Sequence, residues 1–187
     1  TITIPPFIKK IEPFAFCSNV FKTLQFSENS QIRSIDKQAF MRSNFETIII
    51  PPFVTKIGPF SLSINNKLKN VIFEDNSQLK IIEKSSFAES TLTSITIPSS
   101  VTEICENAFF NCFNLVTVEF AKNSQLKSIK KNAFYKTSIK KIIIPSHVTL
   151  IGEFAFSSCQ FLTNVEFEKN SSLITINSSA FSYSAIK

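Results

Sequence analysis

The sequence has very little of the chemistry that catalytic and cofactor sites use. It contains one histidine, two glycines, one methionine and no tryptophan among 187 residues. His147 is the single histidine, so no Cys-His or Ser-His pair exists beyond chance. The chain also has no G-x-S-x-G motif, phosphate-binding glycine loop or nucleotide fingerprint. Acidic residues such as Glu12, Glu103 and Glu153 are scattered singly, which is typical of a solvated face. We therefore predict no enzymatic activity and no cofactor.

Two markers that are present recur along the whole chain and define a repeat. An isoleucine directly before proline occurs at Ile4, Ile50, Ile97 and Ile144, and a phenylalanine shortly before an Asn-Ser pair occurs at Phe26, Phe73, Phe120 and Phe167. The two markers alternate every 22 to 24 residues, which divides the chain into eight units. A period in this range predicts a solenoid.

Each unit predicts one strand and one core aromatic residue. In the stretch from Thr117 to Phe120, apolar and polar residues alternate, as in a strand with one buried face. A phenylalanine after a small residue recurs once per unit, with Leu62 as the exception, and predicts a stacked core column: Phe16, Phe40, Phe87, Phe109, Phe134, Phe156 and Phe181. In the segment between each strand and the next phenylalanine of the column, two apolar residues lie three residues apart. This spacing favours a turn or an irregular segment over a strand. We expect one short helical turn at the phenylalanine step.

The repeat carries a family resemblance. The pattern I-x-I-P-x-x-V-T-x-I-x-x-x-A-F-x-x-C-x-x-L-x-x-V-x-F, complete from 95 to 120, resembles the BspA-type leucine-rich repeat. The first unit lacks one residue after Ser18, and Asn19 and Ile64 stand where the pattern has Cys112 and Cys159. The resemblance implies a right-handed leucine-rich-repeat solenoid, mainly β within the α/β repeat class. Eight coils would then carry a parallel sheet on one face and irregular or short helical segments on the other.

The resemblance also implies a location and a role. Proteins of this family are surface-exposed or secreted, and adhesion to host surface or matrix proteins is the role usually proposed for them. We predict that residues 1–187 form a single solenoid domain within a longer protein, because the chain opens inside a strand and stops where the next one is due. We also expect self-association through the uncapped ends, where Ile2 and Ile4 would form an open strand edge.

The four cysteines are expected to be buried free thiols. Cys112 and Cys159 share a repeat position two coils apart, about 10 Å at the strand spacing, whereas a disulfide needs Cα atoms within about 7 Å. Cys17 is farther away, and Cys105 is separated from Cys112 by the phenylalanine step. No C-x-x-C pair or histidine cluster exists, which excludes a zinc site.

The outward columns of the predicted sheet are the first candidate binding surface, because repeat sheets offer an extended face to partners. The candidate residues there are Thr47, Ile49, Asn70, Ile72, Ser94 and Thr96. Adjacent outward isoleucines make an apolar patch. The ladder of Thr, Ser and Asn has a purely structural alternative, since cross-strand pairs of this kind stabilise a sheet.

A lysine-rich stretch is the second candidate surface. Its lysines, in a segment without acidic residues, include Lys122, Lys127, Lys130, Lys131, Lys140 and Lys141. They predict either a patch for an anionic glycan or a wall that keeps the chain soluble. Nucleic acid is disfavoured, because arginine is scarce and we expect no exposed aromatic series for base stacking. Two function hypotheses follow: a protein-binding or adhesion module, and a structural spacer or coat repeat without a specific ligand.

Overall fold

The computed structural model describes residues 1–186, so Lys187, the last residue of the predicted domain, lies outside the described residues. Sixteen short strands follow one another in this range, and no helix occurs in it. They are β1 (Ile2–Ile4), β2 (Lys10–Ile11), β3 (Leu24–Phe26), β4 (Ser34–Ile35), β5 (Thr47–Ile50), β6 (Lys56–Ile57), β7 (Asn70–Phe73), β8 (Ile81–Ile82), β9 (Ser94–Ile97), β10 (Glu103–Ile104), β11 (Thr117–Phe120), β12 (Ser128–Ile129), β13 (Lys141–Ile144), β14 (Leu150–Ile151), β15 (Asn164–Phe167) and β16 (Thr175–Ile176). Each coil contributes one longer and one two-residue strand, which confirms the predicted solenoid of eight coils.

The odd-numbered strands form the long-strand wall, in which all pairs are parallel as predicted. Alternation holds along each strand: in β9, Ile95 and Ile97 are buried, whereas Ser94 and Thr96 are exposed. The last strand departs from this pattern, because Phe167 is exposed and Val165 only half-buried. Proline ends four of these strands, since it cannot donate to a ladder.

This wall is not the single eight-stranded sheet that we expected. Its ladders divide into β1–β3, β5–β7–β9–β11 and β13–β15. No strand pairing joins β3 to β5 or β11 to β13, and β7 meets β9 only through Asn70 and Ser94. We call these three interfaces the seams. All of them lie where a strand ending in phenylalanine is followed by one ending in isoleucine, so the fully paired unit is two coils.

The even-numbered strands form the short-strand wall, which corrects the expectation of a turn or irregular segment. All eight pair in parallel in one continuous sheet, β2 through β16. The inner residue of every strand is an isoleucine, and seven of the eight are buried. A strand of two residues is too short to produce the alternation by which strands are recognised in a sequence.

The predicted phenylalanine column is confirmed and forms the third side, the phenylalanine corner. Neighbouring rings stack nearly parallel, with centroids 5.0 Å apart for Phe109 and Phe134 and 5.4 Å for Phe16 and Phe40. Leu62 interrupts the stack. The expected helical turn is absent from the described residues. Instead, the residues two before and two after each column position adopt positive φ, as Asn107 and Asn111 do around Phe109.

Backbone hydrogen bonds between coils at this corner all run in one direction. Asn107, Phe109 and Asn111 donate their N–H groups to the carbonyls of Lys131, Ala133 and Tyr135 in the next coil. The same three bonds, always from a coil to its successor, recur through the stack. The residues with positive φ thus turn their N–H groups toward the next coil, and a ladder of hydrogen bonds between coils takes the place of a helix.

The two glycines have a packing role on the short-strand wall. Gly152 follows β14, and its N–H donates to Ile129 O at 2.7 Å. A Cβ atom at Gly152 would lie 2.5 Å from the carbonyl carbon of Lys130, and one at Gly58 would lie 2.9 Å from that of Asp36. Real Cβ atoms do not approach backbone so closely, so glycine allows the coils to meet at this point.

Candidate binding surface

The six outward candidates lie together across three neighbouring strands of the long-strand wall. Thr47 pairs with Asn70 and Ile49 with Ile72 between β5 and β7, and Asn70 pairs with Ser94 between β7 and β9. Thr96 lies two residues beyond Ser94 on the same face of β9. The strand register therefore brings these side chains into one contiguous array, defined here as the isoleucine array.

The array combines apolar area with short hydrogen-bonding groups. The Ile49 side chain is 47% exposed and that of Ile72 is 50% exposed. Beside them, the Asn70 side-chain amide donates to Thr47 Oγ1 at 3.3 Å. An apolar centre with a polar surround is the composition of a protein interface.

Grooves follow the seams of this wall. One, at the seam between β7 and β9, has a volume of about 530 Å³ and is lined by Asn70, Ile72, Phe73, Ser94 and Thr96 among others. A second, of about 460 Å³, runs between β11 and β13. Phe73 lines the first groove and Phe120 lines the second. The isoleucine array thus borders an open furrow instead of lying on a flat sheet.

The six lysines of the second candidate surface are divided between the two walls. Lys122, Lys140 and Lys141 adjoin the long strands, whereas Lys127, Lys130 and Lys131 flank β12 of the short-strand wall. Three of them form ion pairs with acidic residues of other coils: Lys130 with Glu103 at 3.6 Å, Lys131 with Glu153 at 2.6 Å and Lys141 with Glu166 at 2.7 Å. These pairs reduce the positive charge that the lysines offer to an anion. Glycan binding by this surface stays a prediction.

Ion pairing also affects the acidic partner on the long-strand wall. Hydrogen bonds from Lys141 and then Asn164 lower the pKa of the Glu166 carboxyl below its ordinary value. Glu166 therefore stays ionised at neutral pH and offsets Lys141 on the exposed face.

All four cysteines are free thiols, as predicted, although only Cys112 and Cys159 are fully buried. Burial raises the pKa of the Cys112 thiol to about 11, and burial with a hydrogen bond to Glu103 raises that of Cys105 to about 12. Thiols held neutral in this way are poor nucleophiles. No group of three or more His, Cys, Asp or Glu side chains in residues 1–186 is arranged to hold a metal.

The assignment of Ile64 to the cysteine column is wrong, because Asn65 occupies it. Cys112 Sγ donates to Phe87 O and Cys159 Sγ to Phe134 O, both at 3.1 Å. The Asn65 amide makes the equivalent bond to Phe40 O at 3.1 Å. Counting three residues on from Leu62, the column position of that coil, would have given Asn65 from the sequence.

Exposed phenylalanines were missed by the sequence reasoning. Phe7 and Phe53 lie in the proline turns, and Phe113 and Phe161 lie in the turns between the phenylalanine corner and the next long strand. Their sequence signal is simple, since each falls outside the two phenylalanine columns of the repeat. Within the part of the chain that the structure describes, no helix is long and apolar enough to cross a membrane.

Parallel strands stacked coil on coil around a single apolar core define a leucine-rich-repeat solenoid. The family model for the BspA type leucine rich repeat region matches residues 1–116 and 80–187, with six copies. The chain belongs to this family.

Solved structures share the fold. The chain is similar to the pneumococcal vaccine antigen PcpA, with a TM-score of 0.67 and 26% identity over 90% of this chain and 51% of that one. A leucine-rich repeat protein from Bacteroides ovatus has a TM-score of 0.62 and 20% identity over 90% and 61%, respectively. A leucine rich cell surface protein from Faecalibacterium prausnitzii has a TM-score of 0.53 and 24% identity over 89% of this chain and 60% of that one. The chain therefore spans about half to three fifths of their lengths. No curated protein matches it.

Proposed function

We propose that the chain is a protein-binding or adhesion module that acts at a cell surface or outside the cell without catalysis. A host surface or matrix protein is the proposed partner, bound by the long-strand wall. Membership of the BspA-type family supports this, as do two structural relatives described as a vaccine antigen and a cell surface protein.

The isoleucine array is the observation that carries the proposal. Ile49 and Ile72 are the two neighbouring apolar residues of their column, paired in register and half exposed, whereas Ile143 in the same column lies next to Glu119 and Glu166. Exposed neighbouring apolar residues on a repeat face contribute nothing to the core and are typical of contact surfaces. The groove beside them gives a partner side chain a place to be buried, which is how the strongest contacts of interfaces form.

Replacing Ile49 and Ile72 together with lysine tests this proposal. Both side chains point away from the core, so the free energy of unfolding should change by no more than about 0.5 kcal/mol. Attachment of the purified protein to cultured epithelial cells and to basement-membrane matrix should weaken by about tenfold or more. The matched control is Ile143→Lys, which places the same charge on an exposed isoleucine of the same wall outside the array.

The alternatives predict other results. If neutralising Lys127, Lys130 and Lys131 abolishes attachment while the double isoleucine variant binds normally, the lysines form the binding surface and the array does not. A spacer or coat repeat without a specific ligand would attach neither to the cells nor to the matrix, whichever variant is used.

A further inference from the structure

A row of notches follows the turns that lead from the phenylalanine corner to the long strands. Six residue steps separate Phe109 from Leu115 and Phe156 from Leu162, but only five separate Phe134 from Ile139. From the second coil on, every second turn is one residue shorter, so the turns after Phe87 and Phe134 each lie recessed between two longer ones. Two such recesses, each of about 250 Å³, adjoin one another.

Phe113 forms the wall that the two notches share, because it lines both. Its side chain is 60% exposed and does not belong to the core. An exposed ring with a recess on either side presents apolar area that a ligand can cover. Phe161, 57% exposed, lines the far side of the second notch, so that notch has an aromatic ring on both sides.

The first notch also contains hydrogen-bonding groups that face the open recess. Asn66, Glu89 and Asn114 are exposed residues in its lining. Asn111 lines it as well, and its Oδ1 atom is buried with no hydrogen-bond partner among the described residues. Buried polar atoms without a partner are rare and call for one.

The chemistry of the notches selects the ligand class. A recess of about 250 Å³ is smaller than the sites that hold drug-sized ligands, so it fits a single ring. An aromatic platform beside amides and a carboxylate fits a ring with an apolar face and hydroxyl groups around its rim. Glu89 disfavours an anionic ligand in the first notch. Lys136 lines the second notch, but its ammonium lies over the Tyr135 ring, 5.5 Å from the ring centroid, and is therefore already engaged in a cation–π contact.

We propose that these notches bind a neutral oligosaccharide, with one pyranose ring stacked on each face of Phe113. The notches are two coils apart, about 10 Å at the strand spacing, so one extended chain reaches both. Binding without hydrolysis is expected, because Glu89 is the only carboxylate in either lining and glycosidases use two. The site lies on a different side of the coil from the isoleucine array and is independent of it.

Titration calorimetry of the whole chain with four probes tests the site: maltotetraose, chitotetraose, mannotetraose and a sulfated heparin tetrasaccharide. At least one neutral probe should bind with a dissociation constant at or below about 1 mM. Phe113→Ala should weaken that binding by about tenfold or more, since it removes the ring that both notches share. Asn114→Ala should weaken it too, whereas Phe7→Ala, an exposed phenylalanine in a proline turn, should not.

Two results would overturn the proposal. The first is that no neutral probe binds at this concentration; if the sulfated probe then binds alone, the lysines are favoured. The second is that Phe113→Ala leaves binding unchanged. If Phe113→Ala unfolds at the same midpoint temperature as the parent chain, a loss of binding is due to the missing ring and not to a loss of the fold. Cell attachment measured with Ile49→Lys/Ile72→Lys is a separate readout, so either proposal can fail alone.

Discussion

The long-strand wall and the short-strand wall are built from the same coils, yet only the wall with the shorter strands is continuous. The short strands carry isoleucine at the inner position in every coil, so each layer has the same thickness. The long strands end alternately in isoleucine and phenylalanine, and Phe73 and Phe120 line the grooves where pairing stops. We attribute the seams to this alternation. A uniform column of side chains matters more for an unbroken ladder than strand length.

The largest effect on stability is expected from removing a ring of the phenylalanine column, which packs in the core that both walls share. Phe109→Ala leaves a cavity between two stacked rings and should lower the free energy of unfolding by about 3 to 5 kcal/mol. Denaturant unfolding measures this. Phe113→Ala, an exposed ring four residues later, is the control and should change stability by no more than about 0.5 kcal/mol. Equal losses in the two variants would contradict the stacked core.

A smaller effect is expected from disturbing the continuous wall alone. Gly152→Ala forces a Cβ against the backbone of the preceding coil and should cost about 1 to 3 kcal/mol, because backbone cannot yield as a flexible side chain does. Cys105→Ala is the matched control, since Cys105 holds the same position with a side chain already present. Its N–H bond to the preceding coil, to Ile82 O, is 2.9 Å long, compared with 2.7 Å at Gly152. Thermal melts showing the two variants equally stable would refute the close-approach argument.

The smallest effect is expected from a change at one seam of the long-strand wall, which tests why this wall is discontinuous and the short-strand wall is not. Phe73→Ile makes the end of β7 match its neighbours and should allow β7 and β9 to pair beyond Asn70 and Ser94. Backbone amides of β9 should then exchange with solvent more slowly, while those of β10 on the short-strand wall stay unchanged. Unaltered exchange in β9 would mean that the ring does not hold the seam open.

The sequence predicted the features that depend on spacing along one coil. The position of Phe109 in the core and the outward direction of Ile49 both follow from periodicity, and both are confirmed. The isoleucine array follows as well, because parallel coils in register place Ile72 beside Ile49. As a partner site, the array stays a prediction.

Features that depend on contacts between coils were beyond such reasoning. The seams arise from how Phe73 meets the next coil, and the lysine stretch loses charge to Glu153 and other acids about one coil away in sequence. The sequence shows that neighbouring turns differ by one residue and that Phe113 falls outside the phenylalanine columns, but the notches themselves depend on how those turns stack beside one another. Each of these requires the stacked coils in three dimensions.

The one-way hydrogen bonds of the phenylalanine corner have an electrostatic consequence. In an ordinary β-ladder successive N–H groups point in opposite directions, and their dipoles nearly cancel. At this corner three peptide groups per coil point toward the next coil, and each peptide carries about 3.5 D. Their dipoles therefore add along the solenoid axis, as they do in an α-helix but with the positive pole toward the higher-numbered coils. A mainly β protein thus carries an axial macrodipole along one edge.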